Sequence, residues 1–255
     1  MLSAAQHEAV TSEAARPLQI LAGPGSGKTR VLTSRVAHLV RDSAAPIAPE
    51  RCVVVTFTNR AANEMRARLE AMIGADRTRR LVLGTFHAVC VRFLRRWGTR
   101  LGLDPRFTIA DTDDARRLLR DVDRDAPVDA TLAAISRAKA HGWTPDELRA
   151  SAQHAPGSPA HTEHLALCRT YAAYQQQLRT SHALDFDDLL LLGVRLFREH
   201  PELTSHIDHV LVDEFQDTNA VQYELLRRLS RHVSVVGDPD QSIYSWRHAD
   251  VRHIE

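Results

Sequence analysis

Lysine is nearly absent from this 255-residue chain, and cysteine is scarce. Lys28 and Lys139 are the only lysines among 33 basic residues, so arginine carries almost all of the positive charge. The three cysteines, Cys52, Cys90 and Cys168, lie far apart and form no Cys-x-x-Cys pair. This spacing argues against a disulfide framework and against a zinc ribbon, and it fits a reducing compartment.

Long hydrophobic runs are also absent. No apolar stretch approaches the ~18 residues needed to cross a bilayer, and the N-terminal sequence MLSAAQHEAV lacks the charged-then-apolar pattern of a secretion signal. We therefore expect a cytoplasmic protein with no membrane partner. A formal net charge of +1 excludes little, because a protein can gather its basic residues in one groove while staying near neutral overall.

Short apolar or β-branched segments alternate with helical patterns along most of the chain. The predicted strands are Leu18–Leu21, Cys52–Thr56, Leu81–Thr85, Phe107–Ile109, Val210–Val212 and Val233–Val236. The helical patterns between them include Arg30–Val40, Ala61–Met72 and Val221–Leu229. This alternation predicts an α/β fold in which helices cover a parallel sheet.

Strand-like segments disappear between about residues 112 and 183, where helical stretches are interrupted by four prolines. We predict a helical subdomain at 112–183, inserted into a discontinuous core formed by 1–111 and 184–255. Within the insertion, His161 and His164 flank a Thr-Glu pair. Nothing completes a metal-ligand set there, which favours an exposed polar loop over a metal site.

A phosphate-binding loop follows the first predicted strand directly. It reads Ala22-Gly23-Pro24-Gly25-Ser26-Gly27-Lys28-Thr29. The glycines allow backbone N–H groups to surround phosphate oxygens, and the start of the following helix adds a partial positive charge. Lys28 is expected to reach the β- and γ-phosphates, and the Thr29 hydroxyl to ligate Mg²⁺. Ala22 replaces the usual first glycine, but the strand–loop–helix context favours a nucleotide site over a plain glycine-rich turn.

Carboxylates follow the predicted strand Val210–Val212. If this strand is parallel to the first one, Asp213 reaches the same edge of the sheet as the phosphate loop. We expect Asp213 to hold Mg²⁺ and Glu214 to polarise the attacking water, because two adjacent carboxylates at a strand end are costly without a cation. For Asp217 we favour helix N-capping over catalysis.

Taken together, these segments resemble the UvrD/Rep/PcrA family of superfamily 1 DNA helicases over essentially the whole chain. The resemblance implies a RecA-like P-loop NTPase core with an inserted all-helical subdomain, and ATP and Mg²⁺ as cofactors. It further implies 3′-to-5′ translocation on single-stranded DNA and unwinding at junctions of single- and double-stranded DNA. The implied setting is the nucleoid in the cytoplasm, in DNA repair or recombination.

The resemblance assigns three further nucleotide contacts. Gln6, in the segment Leu2–Gln6, matches the residue that bonds the adenine base, although Ser3 replaces the more usual Asn. Arg30 matches the residue that stacks on the adenine. Gln241, in the segment 236–247, matches the sensor of the γ-phosphate.

The family's DNA-contact elements match the segments 56–65 and 84–87, and the segment 236–247 resembles the element that links the ATP state to the grip on DNA. The candidate DNA-binding residues are Phe57, Thr58, Asn59, Thr85, Phe86, His87, Tyr244 and Trp246. Hydroxyls, amides and helix N-termini bond phosphates without reading sequence, and aromatic rings stack on bases. Core packing remains an alternative for Phe57 and Phe86, and helix capping for His87.

Asp185, Asp187 and Asp188 form another family-like stretch at the end of the predicted insertion. Three carboxylates could suggest a two-metal nuclease. The simpler interpretation is a helix start, where acidic side chains complement the helix dipole. We therefore predict a structural role for them.

The resemblance also implies a second RecA-like core that supplies arginines to the γ-phosphate. The chain ends nine residues after Trp246, so we expect this core to come from the rest of the gene product. Without it, we expect weak ATP binding, slow hydrolysis and no unwinding. Two alternatives stay open: the motor portion of a helicase–nuclease, and a truncated non-catalytic module that binds nucleotide or single-stranded DNA.

Overall fold

The computed structural model describes residues 2–152, 155, 157–229, 232–238 and 240. It confirms an α/β fold built on a parallel sheet. Seven strands are present in the described residues: β1 Leu18–Leu21, β2 Cys52–Thr56, β3 Val82–Thr85, β4 Thr108–Ile109, β5 Ala183–Leu184, β6 His209–Val212 and β7 Val233–Gly237. Five of them form an all-parallel sheet in the order β1-β7-β6-β2-β3.

Helices connect the strands. They are α1 Ala4–Thr11, α2 Lys28–Ala37, α3 Asn59–Ile73, α4 Ala75–Arg80, α5 Phe86–Trp97, α6 Thr112–Val122, α7 Val128–Ala140, α8 Pro145–Ala150, α9 Pro159–Thr180, α10 Phe186–Glu199 and α11 Ala220–Leu229. None of the helices within the described residues has the length and hydrophobicity that a membrane span requires.

The described residues form two compact units, one drawn from 1–92 and 197–255 and the other from 93–196. The predicted strand at Phe107–Ile109 is present as β4, but it lies in the second unit and pairs in parallel only with β5. A two-residue strand of this kind carries little sequence pattern, which is why β5 was not predicted. The domain boundaries proposed at 111/112 and 183/184 stay a prediction.

The core of the first unit explains how its sheet is fixed. All five residues of β2 are buried, as expected for the Val-rich centre of a parallel sheet. Met65 and Leu69 on α3 and Leu32 and Val36 on α2 pack into the same hydrophobic cluster. These contacts hold α2 and α3 against the sheet, and therefore fix the loops that precede both helices.

The second unit contains a buried ionic cluster at the start of α10. Lys139 is fully buried, and its Nζ lies 2.7 Å from a carboxylate oxygen of Asp185 and 2.7 Å from one of Asp188. Burial alone would lower the pKa of Lys139, but Asp188 and Asp185 outweigh it and raise that pKa. Asp185 and Asp188 also accept from each other's backbone N–H groups, which caps α10. These contacts agree with the predicted structural role of Asp185 and Asp188.

Candidate nucleotide and nucleic-acid site

The phosphate loop joins β1 to α2 in a conformation that depends on glycine. Gly25 and Gly27 have φ angles of +71° and +86°, in the left-handed region that other residues rarely adopt. Gly27 is the residue immediately before α2. The loop is held to the sheet by a hydrogen bond from the Ala22 N–H to the Gly237 carbonyl, 3.2 Å long. Backbone N–H groups at the start of α2 are thereby gathered at the carboxyl edge of β1.

Lys28 is the first residue of α2 and is 9% exposed. Its Nζ donates to the Ala22 carbonyl at 3.1 Å and lies 3.5 Å from a carboxylate oxygen of Asp238. The buried Lys28 ammonium group is held by a carbonyl and a carboxylate, and it can also donate to a polyphosphate.

Thr29 and Asp213 meet at the same edge. The Thr29 hydroxyl donates to an Asp213 carboxylate oxygen at 3.3 Å. Burial and the adjacent Glu214 carboxylate raise the pKa of Asp213 to about 6. A hydroxyl and a carboxylate are hard oxygen ligands of the kind that Mg²⁺ prefers, and a cation would relieve the repulsion between the two acids. The residues therefore fit a magnesium ion bound together with a nucleotide.

Glu214 has a strained backbone. Its φ and ψ angles of 52° and 45° are left-handed, although it is not a glycine. Such a conformation costs of order 1–3 kcal/mol and tends to be retained at functional sites. It turns the chain directly after Asp213, and Glu214 lines the pocket beside the phosphate loop.

The pocket encloses about 680 Å³ and is lined by Pro24, Gly25, Ser26, Gly27, Lys28, Thr29, Arg30, Arg68 and Glu214. Arg30, which the resemblance places on the adenine, is exposed there. Arg68 was not predicted as a site residue. It belongs to α3 and pairs with Glu64 one turn earlier, so its local pattern is that of an ordinary surface ion pair. Only the packing of α3 brings Arg68 to the pocket.

Gln6 lies against the phosphate loop, and its predicted contact with the adenine base stays a prediction. Its side-chain Nε2 donates to the Ser26 carbonyl at 2.8 Å, and its Oε1 accepts from the Ser3 N–H at 2.9 Å. The Ser3 hydroxyl accepts from the Gln6 N–H in return, which forms a capping box at the start of α1. Ser3 therefore serves as the N-cap, and Gln6 retains one amide hydrogen and one lone pair for a base.

The two candidate DNA-contact loops are neighbours. Thr56 at the end of β2 is in register with Thr85 at the end of β3, and the loops follow these strands on the same edge. The rings of Phe57 and Phe86 meet edge to face with centroids 5.4 Å apart. Phe86 is only 2% exposed, which favours core packing for it, whereas Phe57 is half-buried.

Helix starts lie beside both loops. The Thr58 hydroxyl accepts from the Ala61 N–H and caps α3, and the Thr85 hydroxyl accepts from the Ala88 N–H at the start of α5. Asn59 is exposed at the first position of α3. DNA contacts by Phe57, Thr58, Asn59, Thr85, Phe86 and His87 stay predictions. Gln241, Tyr244 and Trp246 lie outside the described residues.

The N-capping prediction for Asp217 is wrong. Helix α11 begins at Ala220, and Asn219 caps it by accepting from the Gln222 N–H at 2.9 Å. Asp217 instead ends a short 3-10 turn, is 8% exposed, and has a carboxylate oxygen without a hydrogen-bond partner among the described residues. A Thr-Asn pair follows Asp217, and either Asp217 or Asn219 could have capped the helix.

His161 and His164 lie on α9 and are half-buried, so the predicted exposed loop is wrong at these two positions. Within the part of the chain that the structure describes, no group of three or more His, Cys, Asp or Glu side chains could hold a metal ion. The His164 Nε2 lies 2.9 Å from the Leu148 carbonyl. This contact gives His164 a role in packing α9 against α8.

The family model "UvrD/REP helicase N-terminal domain" matches residues 2–255. A protein named ATP-dependent DNA helicase PcrA from Leuconostoc citreum is 42% identical over 252 residues, which cover 93% of this chain and 32% of that protein. A protein of the same name from Staphylococcus epidermidis is 39% identical over 268 residues, covering 99% and 35%. The chain therefore spans about a third of the length of these curated relatives.

Proposed function

Because the chain belongs to the UvrD/REP helicase family, we propose that it is the ATP-binding N-terminal part of a DNA helicase that uses ATP hydrolysis to translocate 3′ to 5′ on single-stranded DNA and unwind duplexes. The observation that carries this proposal is the meeting of Lys28, Thr29, Asp213 and Glu214 at one edge of a parallel sheet. This is the edge where ligands bind in open α/β sheets.

The side chains have separate tasks in this proposal. Lys28 and the N–H groups at the start of α2 bind the phosphates, and Gln6 and Arg30 position the base. Thr29 and Asp213 hold Mg²⁺, which when bound neutralises charge on the phosphate oxygens. Glu214 orients the attacking water and accepts its proton. Arg68 supplies a further positive charge beside the phosphates.

Coupling to DNA rests on the position of the DNA-contact loops. The ends of β2 and β3 lie on the edge that carries the nucleotide, separated from β1 by β6 and β7. Movements of the nucleotide-binding strand ends can therefore be passed to the loops at Phe57 and Thr85 through a few adjacent strands. The proposed DNA substrate is a single strand and its junction with a duplex, in repair or recombination at the cytoplasmic nucleoid.

Two substitutions test the nucleotide site in the full-length protein that contains this chain. Lys28→Ala should abolish ATP binding. Glu214→Gln should retain the binding of a fluorescent ATP analogue but lower the rate of DNA-stimulated hydrolysis by at least ~10²-fold, since it removes the general base. Glu70→Gln, on the exposed face of α3, is the matched control and should hydrolyse ATP normally. Unchanged ATPase activity in Lys28→Ala would refute the assignment.

A further inference from the structure

Gln216 connects the ends of two neighbouring strands beside the phosphate pocket. It follows β6 by four residues, is 2% exposed, and lies in the 3-10 turn Phe215–Asp217. Its Nε2 donates to a Glu214 carboxylate oxygen at 2.8 Å. Its Oε1 accepts from the Asp238 N–H at 3.0 Å, directly after β7.

These two bonds require a side chain that can both donate and accept a hydrogen bond. A backbone N–H can only donate and an ionised carboxylate can only accept, so the side chain between them needs an acceptor at one end and a donor at the other. An amide meets this requirement, and a carboxylate or a hydrocarbon chain does not. The same argument fixes which end of the Gln216 amide is oxygen.

The backbone of β7 leaves space for this amide. A Cβ atom at Gly237 would lie 2.8 Å from the Gln216 Oε1, closer than carbon and oxygen tolerate. Gly237 is not among the residues with a positive φ. An alanine at this position would therefore have to displace the Gln216 side-chain oxygen, but it would not need an unusual backbone conformation.

We propose that Gln216 is a positioning residue that orients the Glu214 carboxylate towards the attacking water and ties this orientation to the end of β7. This inference rests on the proposed function. Glu214 has a strained backbone, and a partly buried hydrogen bond to its side chain selects one of several orientations. A carboxylate oxygen of Asp238 also lies 3.5 Å from the Lys28 Nζ. Asp238 therefore links Gln216, on the side of the pocket that holds Glu214, with Lys28, on the phosphate-binding side.

The functional test replaces the amide by an acid. Gln216→Glu keeps the acceptor for the Asp238 N–H but loses the donor to Glu214. In the full-length protein, kcat of DNA-stimulated ATP hydrolysis should fall roughly 10–100-fold, the usual effect of removing a supporting hydrogen bond, while KM for ATP stays within about threefold. The ratio of variant to wild-type kcat should rise as the pH falls from 8 to 6, because a protonated carboxyl group donates again.

Gln222→Glu is the matched control. Gln222 on α11 is also buried, and it accepts from the N–H of the capping residue Asn219, a contact that a carboxylate preserves. This variant should keep the wild-type kcat and pH profile. A Gln216→Glu variant with wild-type kcat, or one that changes only KM, would overturn the positioning role.

A second measurement does not depend on activity. Gly237→Ala should lower the Tm by several degrees, and the double variant Gly237→Ala/Gln216→Ala should be no less stable than Gln216→Ala alone, since the clashing oxygen is gone. Equal destabilisation by Gly237→Ala in both backgrounds would overturn the packing argument. A wild-type protein that hydrolyses no ATP would refute the proposed function, whereas the Tm comparison would still test the Gln216 contact.

Discussion

The carboxyl groups that follow β6 differ in how their burial is compensated. Asp213 accepts a hydrogen bond from Thr29 and lies near Lys28. Asp217 is also buried, but one of its oxygens has no hydrogen-bond partner among the described residues. Burial and the Glu214 carboxylate raise the pKa of Asp217 to about 6. The proposed Mg²⁺ would compensate the charge of Asp213. No cation of that kind is proposed at Asp217, and no described group compensates its charge.

Asp217→Asn should therefore stabilise the protein in a pH-dependent way. The folded-state pKa of about 6 lies above the unfolded value near 4, so the wild type loses stability as pH rises from about 4 to about 6. Urea unfolding at pH 8 should give the variant a free energy of unfolding about 1–2 kcal/mol higher.

The difference between the Asp217→Asn variant and the wild type should shrink towards pH 4.5, where the wild-type carboxyl group is protonated. Asp121→Asn, at an exposed position on α6, is the control and should change stability by less than about 0.5 kcal/mol at either pH. An advantage of Asp217→Asn that did not depend on pH would contradict the explanation.

At the scale of elements, one buried arginine joins α1 to α2. Arg35 on α2 is fully buried, and its Nη1 donates to the carbonyls of Ala9, Val10 and Ser12, the last turn of α1. Its Nε donates to the Ser234 hydroxyl on β7 at 2.7 Å. A cation at a helix C-terminus is favourable, and burial lowers the pKa of Arg35 only to about 10, so the guanidinium stays charged.

Arg35→Met should destabilise the protein by roughly 3 kcal/mol, because it leaves several buried acceptors without a donor. An eight-residue helix such as α1 is not stable on its own, so its amides should exchange with solvent faster in the variant. Urea unfolding and hydrogen exchange at residues 4–12 measure both effects.

The control for Arg35 is Arg16→Met, which removes an exposed ion pair with Glu13. It should cost less than about 1 kcal/mol. Because Gln6 lies on α1, Arg35→Met should also weaken the binding of ATP more than that of inorganic tripolyphosphate. Equal losses for the two ligands would show that α1 does not position the base.

At the scale of the whole molecule, the chain matches only about a third of its relatives' length. Arginines from a second core can raise turnover by ~10³–10⁵-fold in related phosphate chemistry. We expect residues 1–255 alone to hydrolyse ATP at least ~10³-fold more slowly than the full-length protein, with no unwinding. Steady-state ATPase assays with single-stranded DNA compare the two, and robust DNA-stimulated activity in 1–255 would contradict this prediction.

The sequence alone determined the local chemistry of this protein. Gly25 and Gly27 set the conformation of the phosphate loop, and Lys28 and Thr29 follow them directly in the chain. The apolar run before Asp213 predicted a buried strand that ends at carboxylates. These features depend on neighbours in the chain, so a pattern of adjacent residues is sufficient to predict them.

Only the tertiary structure decided which distant residues meet. Arg68 reaches the phosphate pocket through the packing of α3, Arg35 meets the end of α1, and Gln216 meets both Glu214 and the Asp238 N–H. The local pattern also left open that Asn219, rather than Asp217, caps α11. Strand order and helix packing set these distances, and no local spacing encodes them, because each contact joins elements whose relative positions depend on the sheet as a whole.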